Sequence, residues 1–151
     1  MKRKLLTLNT GWSLILFVLL DAFCIGLGMG VPFFCILLGL PTGVVLVLRA
    51  APRTCEARQL LSKALVGAAL TAGITVLGML LIWSHAIGML FDPTADLANF
   101  GIPQLLYEPL ASFIGWLVLM IVISPFLQFL MTLFGAHLAL LWVLPRHNGS
   151  S

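Results

Sequence analysis

Charge is what this chain has least of. Lys and Arg together number 8 and Asp and Glu 5 among 151 residues, a charged share of 9%. Soluble domains carry roughly a quarter charged residues and about 45–50% apolar ones. Here the apolar share is 61% and the mean hydropathy is +1.14. Such scarcity excludes a water-soluble globular domain. It also excludes a nucleic-acid-binding face, which needs clustered Lys and Arg on a solvated surface. Cysteine is scarce as well: Cys24, Cys35 and Cys55 form neither a CxxC pair nor a Cys/His ligand spacing, so no zinc, haem or iron–sulfur cofactor is expected. HExxH and GxSxG are absent, and no nucleophile stands at a workable spacing from a base. The chain is therefore not expected to be an enzyme. The glycines of "GLGMG" at 26–30 lack both the spacing and the preceding strand of a dinucleotide-binding turn.

Long apolar runs are what the chain has in abundance. A hydrocarbon core of about 30 Å needs roughly twenty apolar residues per helix. Four runs meet that length, at about 9–28, 32–48, 60–83 and 110–144, separated by a linker at 49–59 and a loop at 85–108. The expected fold is a single all-α integral membrane domain over 1–151, a four-transmembrane-helix bundle. Its first two helices should form a tight hairpin, because Gly26, Gly28, Gly30 and Pro32 combine helix-ending glycines with a proline suited to a first turn. The fourth run, roughly 36 residues, would make a rod of about 54 Å, so a tilted helix kinked near Pro125 is expected. A second hairpin breaking at Ser124-Pro125 is the rival, although no glycine or charge marks a turn there. Lys2-Arg3-Lys4 followed by an apolar run has the shape of a signal-peptide start. Asp21 interrupts that run and no A-x-A site follows, so the segment is expected to remain as the first span.

The few charges are sorted by side. Lys2, Arg3, Lys4, Arg49, Arg53, Arg58, Lys63 and Arg146 all fall at one end of the four runs, whereas the loop at 85–108 holds Asp92, Asp96 and Glu108 with no Lys or Arg. The positive-inside rule then places both termini and the linker in the cytoplasm of a multi-pass protein of the inner or plasma membrane. Trp12 and Trp142 near one boundary, with Trp83, Tyr107 and Trp116 near the other, are expected as interfacial belts.

Asp21 is the exception within the apolar runs. It stands near the middle of the first span, where a charge costs about 2.5–3.5 kcal/mol on insertion scales. With no Lys or Arg in the interior of any span, the neutral acid is expected. Helical spacing puts Asp21 and Cys24 on one face of the first helix and Cys35, Gly39 and Thr42 on one face of the second. Folding the hairpin should bring Cys24, Cys35 and Gly39 into contact, with Asp21 level with Leu38. Free thiols are preferred to a Cys24–Cys35 bridge, since hydrocarbon restricts oxidation. Pro41 cannot donate a backbone N–H, which frees the Leu37 carbonyl; Asp21 is expected to donate to that carbonyl or to exchange with the Thr42 hydroxyl.

Other polar residues are explained by packing. Ser124, Gln128, Thr132 and Gly135 form a stripe on the fourth helix, expected to turn into the bundle. Ala64, Ala68, Ala72, Gly67, Thr71, Thr75 and Gly78 give the third helix a ridge of small residues for close packing. His137 stands alone, and His85, Asp92, Asp96 and Glu108 fit no compact metal loop, so no metal site is expected. Asp21, Thr42, Ser124 and Gln128 are the residues from which an intramembrane ion path could be built. The expected function is a small accessory or scaffold subunit whose partners are the bilayer and either its own copies or a larger membrane complex. The alternative is a small proton- or cation-coupled transporter or channel subunit using Asp21.

Overall fold

The computed structural model describes residues 10–27, 32–53, 56–97, 100–101 and 106–148, and all regular structure among them is helical. Helix α1 is Thr10–Leu27, α2 is Phe33–Ala50, α3 is Ala57–Met89, α4 is Pro109–Val118 and α5 is Ser124–Asn148. A π turn at Leu119–Ile123 joins α4 to α5 without a break. Three stretches are long and apolar enough to cross a membrane: Phe33–Ala50, Ala57–Met89 and Pro109–Val143. The apolar part of α1, Gly11–Gly26, is shorter. The expected hairpin turn around Gly28 and Gly30, and Cys55 in the linker, lie outside the described residues.

Local chemistry sets the helix ends. Pro32 sits at the N-terminal boundary of α2, and its carbonyl accepts the Ile36 N–H at 3.0 Å. Pro109 opens α4 at the first turn, where a missing N–H costs nothing. At 33 residues, α3 is about 50 Å long and overhangs the apolar run at both ends. Beyond it the chain turns at Asp92-Pro93, where Asp92 Oδ1 accepts the Thr94 N–H at 2.9 Å and the Thr94 hydroxyl at 2.6 Å. Those two donors hold the exposed Asp92 carboxyl below the usual carboxylate range. Gly101 adopts φ +85°, which a side chain would resist.

The long fourth run is one helical rod, and the rival hairpin at Ser124-Pro125 does not form. Proline lacks an N–H and its ring presses on the carbonyl four residues back, so an ordinary α-turn cannot pass through Pro125 unchanged. The helix widens just before it: the Ser124 N–H bonds the Leu119 carbonyl, five residues back, and the Ser124 hydroxyl donates to the same oxygen at 2.7 Å.

The most extensive contact between helices is that of α2 with α5. Three glycines make it. A β-carbon on Gly39 would lie 2.6 Å from the Gln128 carbonyl oxygen, one on Gly43 would overlap the Thr132 carbonyl, and one on Gly135 would overlap the Leu40 carbonyl. Successive contacts ascend on both helices, so α2 and α5 run parallel. Asp21 meets Thr75 and Ile25 meets Gly78, so α1 and α3 are parallel too. Helix α3 closes the core with Ala64 and Ala68 at its linker end.

The core has two apolar zones. Val47, Ala50, Leu60, Ala64, Ala136, Ala139 and Leu140 fill the linker end. The loop end is filled by Ile25, Cys35 and Met79, and beyond them by Ala86, Phe113 and Leu117. Trp83 packs against both loop-end clusters, with its indole nitrogen buried. The exterior is itself apolar, with Leu19, Phe23, Val66, Leu77, Leu81 and Leu141 all exposed. Surfaces of that kind need apolar surroundings.

Replacing Gly43 or Gly135 with Ala should lower stability by about 1–3 kcal/mol, because backbone meets backbone there and one helix has to move. Gly73→Ala is the control. Its β-carbon meets nothing within 4 Å, and helix preference adds up to about 1 kcal/mol. Reversible unfolding in mixed micelles measures all three; equal behaviour of Gly43→Ala and Gly73→Ala would contradict the close crossing.

Candidate functional site

Between the two apolar zones lies a layer of polar side chains contributed by α1, α3 and α5. Asp21 of α1, Thr71 and Thr75 of α3, and Gln128 and Thr132 of α5 are buried there, and Gly39 and Gly43 of α2 let the α5 backbone approach beside them. Helix α1 reaches the layer along a single strip, Phe17, Asp21 and Ile25, its buried residues at intervals of four.

Asp21 is 3% exposed and is held by α3. The Thr75 hydroxyl donates to Asp21 Oδ2 at 2.8 Å and also lies 3.2 Å from the Thr71 carbonyl. One hydroxyl proton serves one of these acceptors at a time. The Cys35 thiol donates to the Asp21 backbone carbonyl at 3.7 Å, a long contact suited to sulfur. Asp21 Oδ1 is buried and has no partner among the described residues.

The expected partners on α2 are therefore replaced by Thr75 on α3. The reason is register. Cys35, rather than Leu38, stands level with Asp21, a displacement of three residues or about 4.5 Å along the helix. Thr42 lies two turns away from Cys35, and its hydroxyl donates to the Leu38 carbonyl of its own helix at 2.7 Å. Leu37 and Pro41 are on the exposed side of α2. Cys24 packs against the cluster of Ile25, Cys35 and Met79, and both cysteines are free thiols. Gly39 faces α5 instead of α1, since only a residue without a side chain fits against the Gln128 carbonyl.

The stripe on α5 points inward, but its members are differently engaged. Ser124 serves the π turn, and the Thr132 hydroxyl donates to the Gln128 carbonyl at 2.8 Å. Gln128 is 1% exposed, and neither Oε1 nor Nε2 has a partner among the described residues. His137 is exposed, away from the layer.

A separate shallow cleft of about 470 Å³ at the loop end is lined by Ser84, His85, Gly88, Met89 and Asp92. It gathers His85 and Asp92 but neither Asp96 nor Glu108. Among the described residues no three of His, Cys, Asp and Glu come together as a metal-ligand set.

Two features escaped the sequence reading. Thr75 belongs to a ridge of small residues in the sequence, yet it lies eight residues from Trp83, the same depth as Asp21 from the expected hairpin. Gly39-Leu40-Pro41-Thr42-Gly43 is a GxxxG pattern, the familiar sign of a close helix crossing. Comparison with protein-family models, with curated proteins and with solved structures finds no match for this chain.

Thr75→Val removes the donor to Asp21 and should cost about 0.6–1.7 kcal/mol, the range of membrane interhelical hydrogen bonds. Thr42→Val, which removes only a hydrogen bond within its own helix, should cost less. Unfolding of both variants in the same lipid mixture compares them; a larger loss for Thr42→Val would reverse the assignment.

Proposed function

We propose that the chain is a four-span membrane protein with both termini in the cytoplasm, acting as a small accessory or scaffold subunit that packs with its own copies or with a larger membrane complex. The observation that carries this reading is the unequal packing of the helices. Three stretches lock together through Gly39, Gly43, Gly135 and the small residues of α3, whereas α1 is joined to them by one strip. Most of its remaining surface, including Trp12, Ile15, Leu19 and Phe23, is exposed, and a neighbouring subunit can cover it. Lipid alone would also cover it, so the test is association.

The four-span count rests on direction and charge. Parallel pairing of α1 with α3 and of α2 with α5 is what alternating crossings produce, and the Lys and Arg positions put every basic cluster on one side. Asp21 acts in this reading as polar glue, its carboxyl oxygen tied to Thr75 across the α1–α3 contact.

Two outcomes are expected. In mild detergent the full chain should migrate as an oligomer or with a co-purifying subunit; Asp21→Asn should preserve this and Asp21→Leu should lose it, while a lone folded monomer in lipid overturns the scaffold reading. Impermeant maleimide on intact cells, with single cysteines at Leu5, Arg58 and Asp96 in a background free of Cys24, Cys35 and Cys55, should label only Asp96→Cys. Labelling of Leu5→Cys from outside would reduce the count to three spans.

A further inference from the structure

The polar layer holds more hydrogen-bonding capacity than its helices satisfy. Asp21 Oδ1, Gln128 Oε1 and Gln128 Nε2 are all buried without partners among the described residues. When the Thr75 proton turns to the Thr71 carbonyl, Asp21 Oδ2 loses its hydroxyl donor as well. Each such buried group destabilises the fold if nothing binds it, and a membrane interior has no bulk water to supply the deficit.

The two residues lie within about one helical turn of each other in depth. Cys35 and Gly39 are successive turns on one face of α2; the first touches the Asp21 carbonyl and the second faces the Gln128 carbonyl. Helical side chains lean toward their own N-terminus. Because α5 runs parallel to α2, that lean carries the Gln128 amide from the level of Gly39 toward that of Cys35, and so toward Asp21.

We propose that this layer is a binding site for a single positive charge, a proton or an alkali-metal ion, with the Asp21 carboxylate as the charged ligand and the Gln128 amide oxygen and Thr75 hydroxyl oxygen completing it. Charge balance selects the class. Asp21 brings one negative charge, and the other titratable groups facing it are the thiols of Cys24 on its own helix and Cys35 on α2; α3 faces it with the Thr75 hydroxyl, and the α5 side chains buried in the layer, Gln128 and Thr132, carry no charge. One positive charge makes the layer neutral, whereas a divalent ion would leave a net charge in a medium that penalises it heavily. Carboxylate, amide and hydroxyl oxygens suit hard cations rather than soft metals. The Gln128 Nε2 donor is left for a water entering with the ion. This site goes beyond the structural role given to Asp21 above and does not depend on the chain having a partner.

The test uses the full chain in lipid nanodiscs. At fixed pH and ionic strength, thermal unfolding is compared in sodium, lithium and potassium chloride against N-methylglucamine chloride, and the carboxyl infrared band of wild type is differenced against Asp21→Asn from mildly acid to mildly alkaline pH. An alkali ion as ligand predicts that each tenfold rise in its concentration above Kd lowers the unfolded fraction about tenfold. A proton as ligand predicts no metal response and a protonated carboxyl band that disappears reversibly as pH rises. Either result supports the site if Gln128→Leu, which retains the carboxylate, weakens the response about tenfold or shifts the band. A wild type that shows no metal dependence and a carboxyl band fixed across the range overturns the proposal, whatever its oligomeric state. So does a full response in Gln128→Leu.

Discussion

The α2–α5 crossing is the contact on which the other helix positions depend. Apolar side chains cannot drive helices together inside hydrocarbon, because lipid tails satisfy them equally well. What remains is dispersion between closely approaching surfaces, and that requires residues with almost no side chain. Gly39, Gly43 and Gly135 let the two backbones meet. Once they do, Ala136, Ala139 and Leu140 are brought against Val47 and Ala50, and α3 can lay its alanines into the remaining seam. The same approach leaves Gln128 buried against a glycine, with no side chain on α2 at that point to take its amide.

The polar layer follows from this geometry. At the level of the glycine crossing the buried groups are those that cannot face lipid: one carboxyl, one amide and several hydroxyls. The hydroxyls of Thr71 and Thr132 are satisfied by their own helices, as such side chains usually are. An Asp21 carboxylate has no proton to donate to a helix carbonyl, and the Gln128 amide meets no such partner among the described residues. Their buried oxygens turn a packing layer into a chemically unfinished one.

Much of this was legible from the residues. Long apolar runs with sorted charges marked the helices, and the inward direction of Ser124, Gln128, Thr132 and Gly135 followed from their spacing. Partner choice was harder to read. Asp21 was matched to the helix adjacent in sequence, since a short hairpin makes that pairing natural, but helical register between α1 and α2 depends on packing that no local motif encodes. Thr75 lies 54 residues away, and only depth connects the two. The role of Ser124 was equally hidden. Its hydroxyl resembled those of the stripe, whereas Pro125 next to it commits it to the widened turn.

That turn at Leu119–Ile123 acts on phase as well as on proline. A plain α-helix advances about 100° per residue. Phe113, Leu117 and Met120 would then share a face from which Gln128, Thr132 and Ala139 have drifted by about a quarter of a revolution. All of these residues are nonetheless buried. The five π-helical residues absorb the drift, in effect one residue's worth of rotation, so that two differently phased halves of a single helix address the same interior. Without that phase correction, a rod of unchanged composition could seat its aromatic half or its amide-bearing half against α2 and α3, but not both.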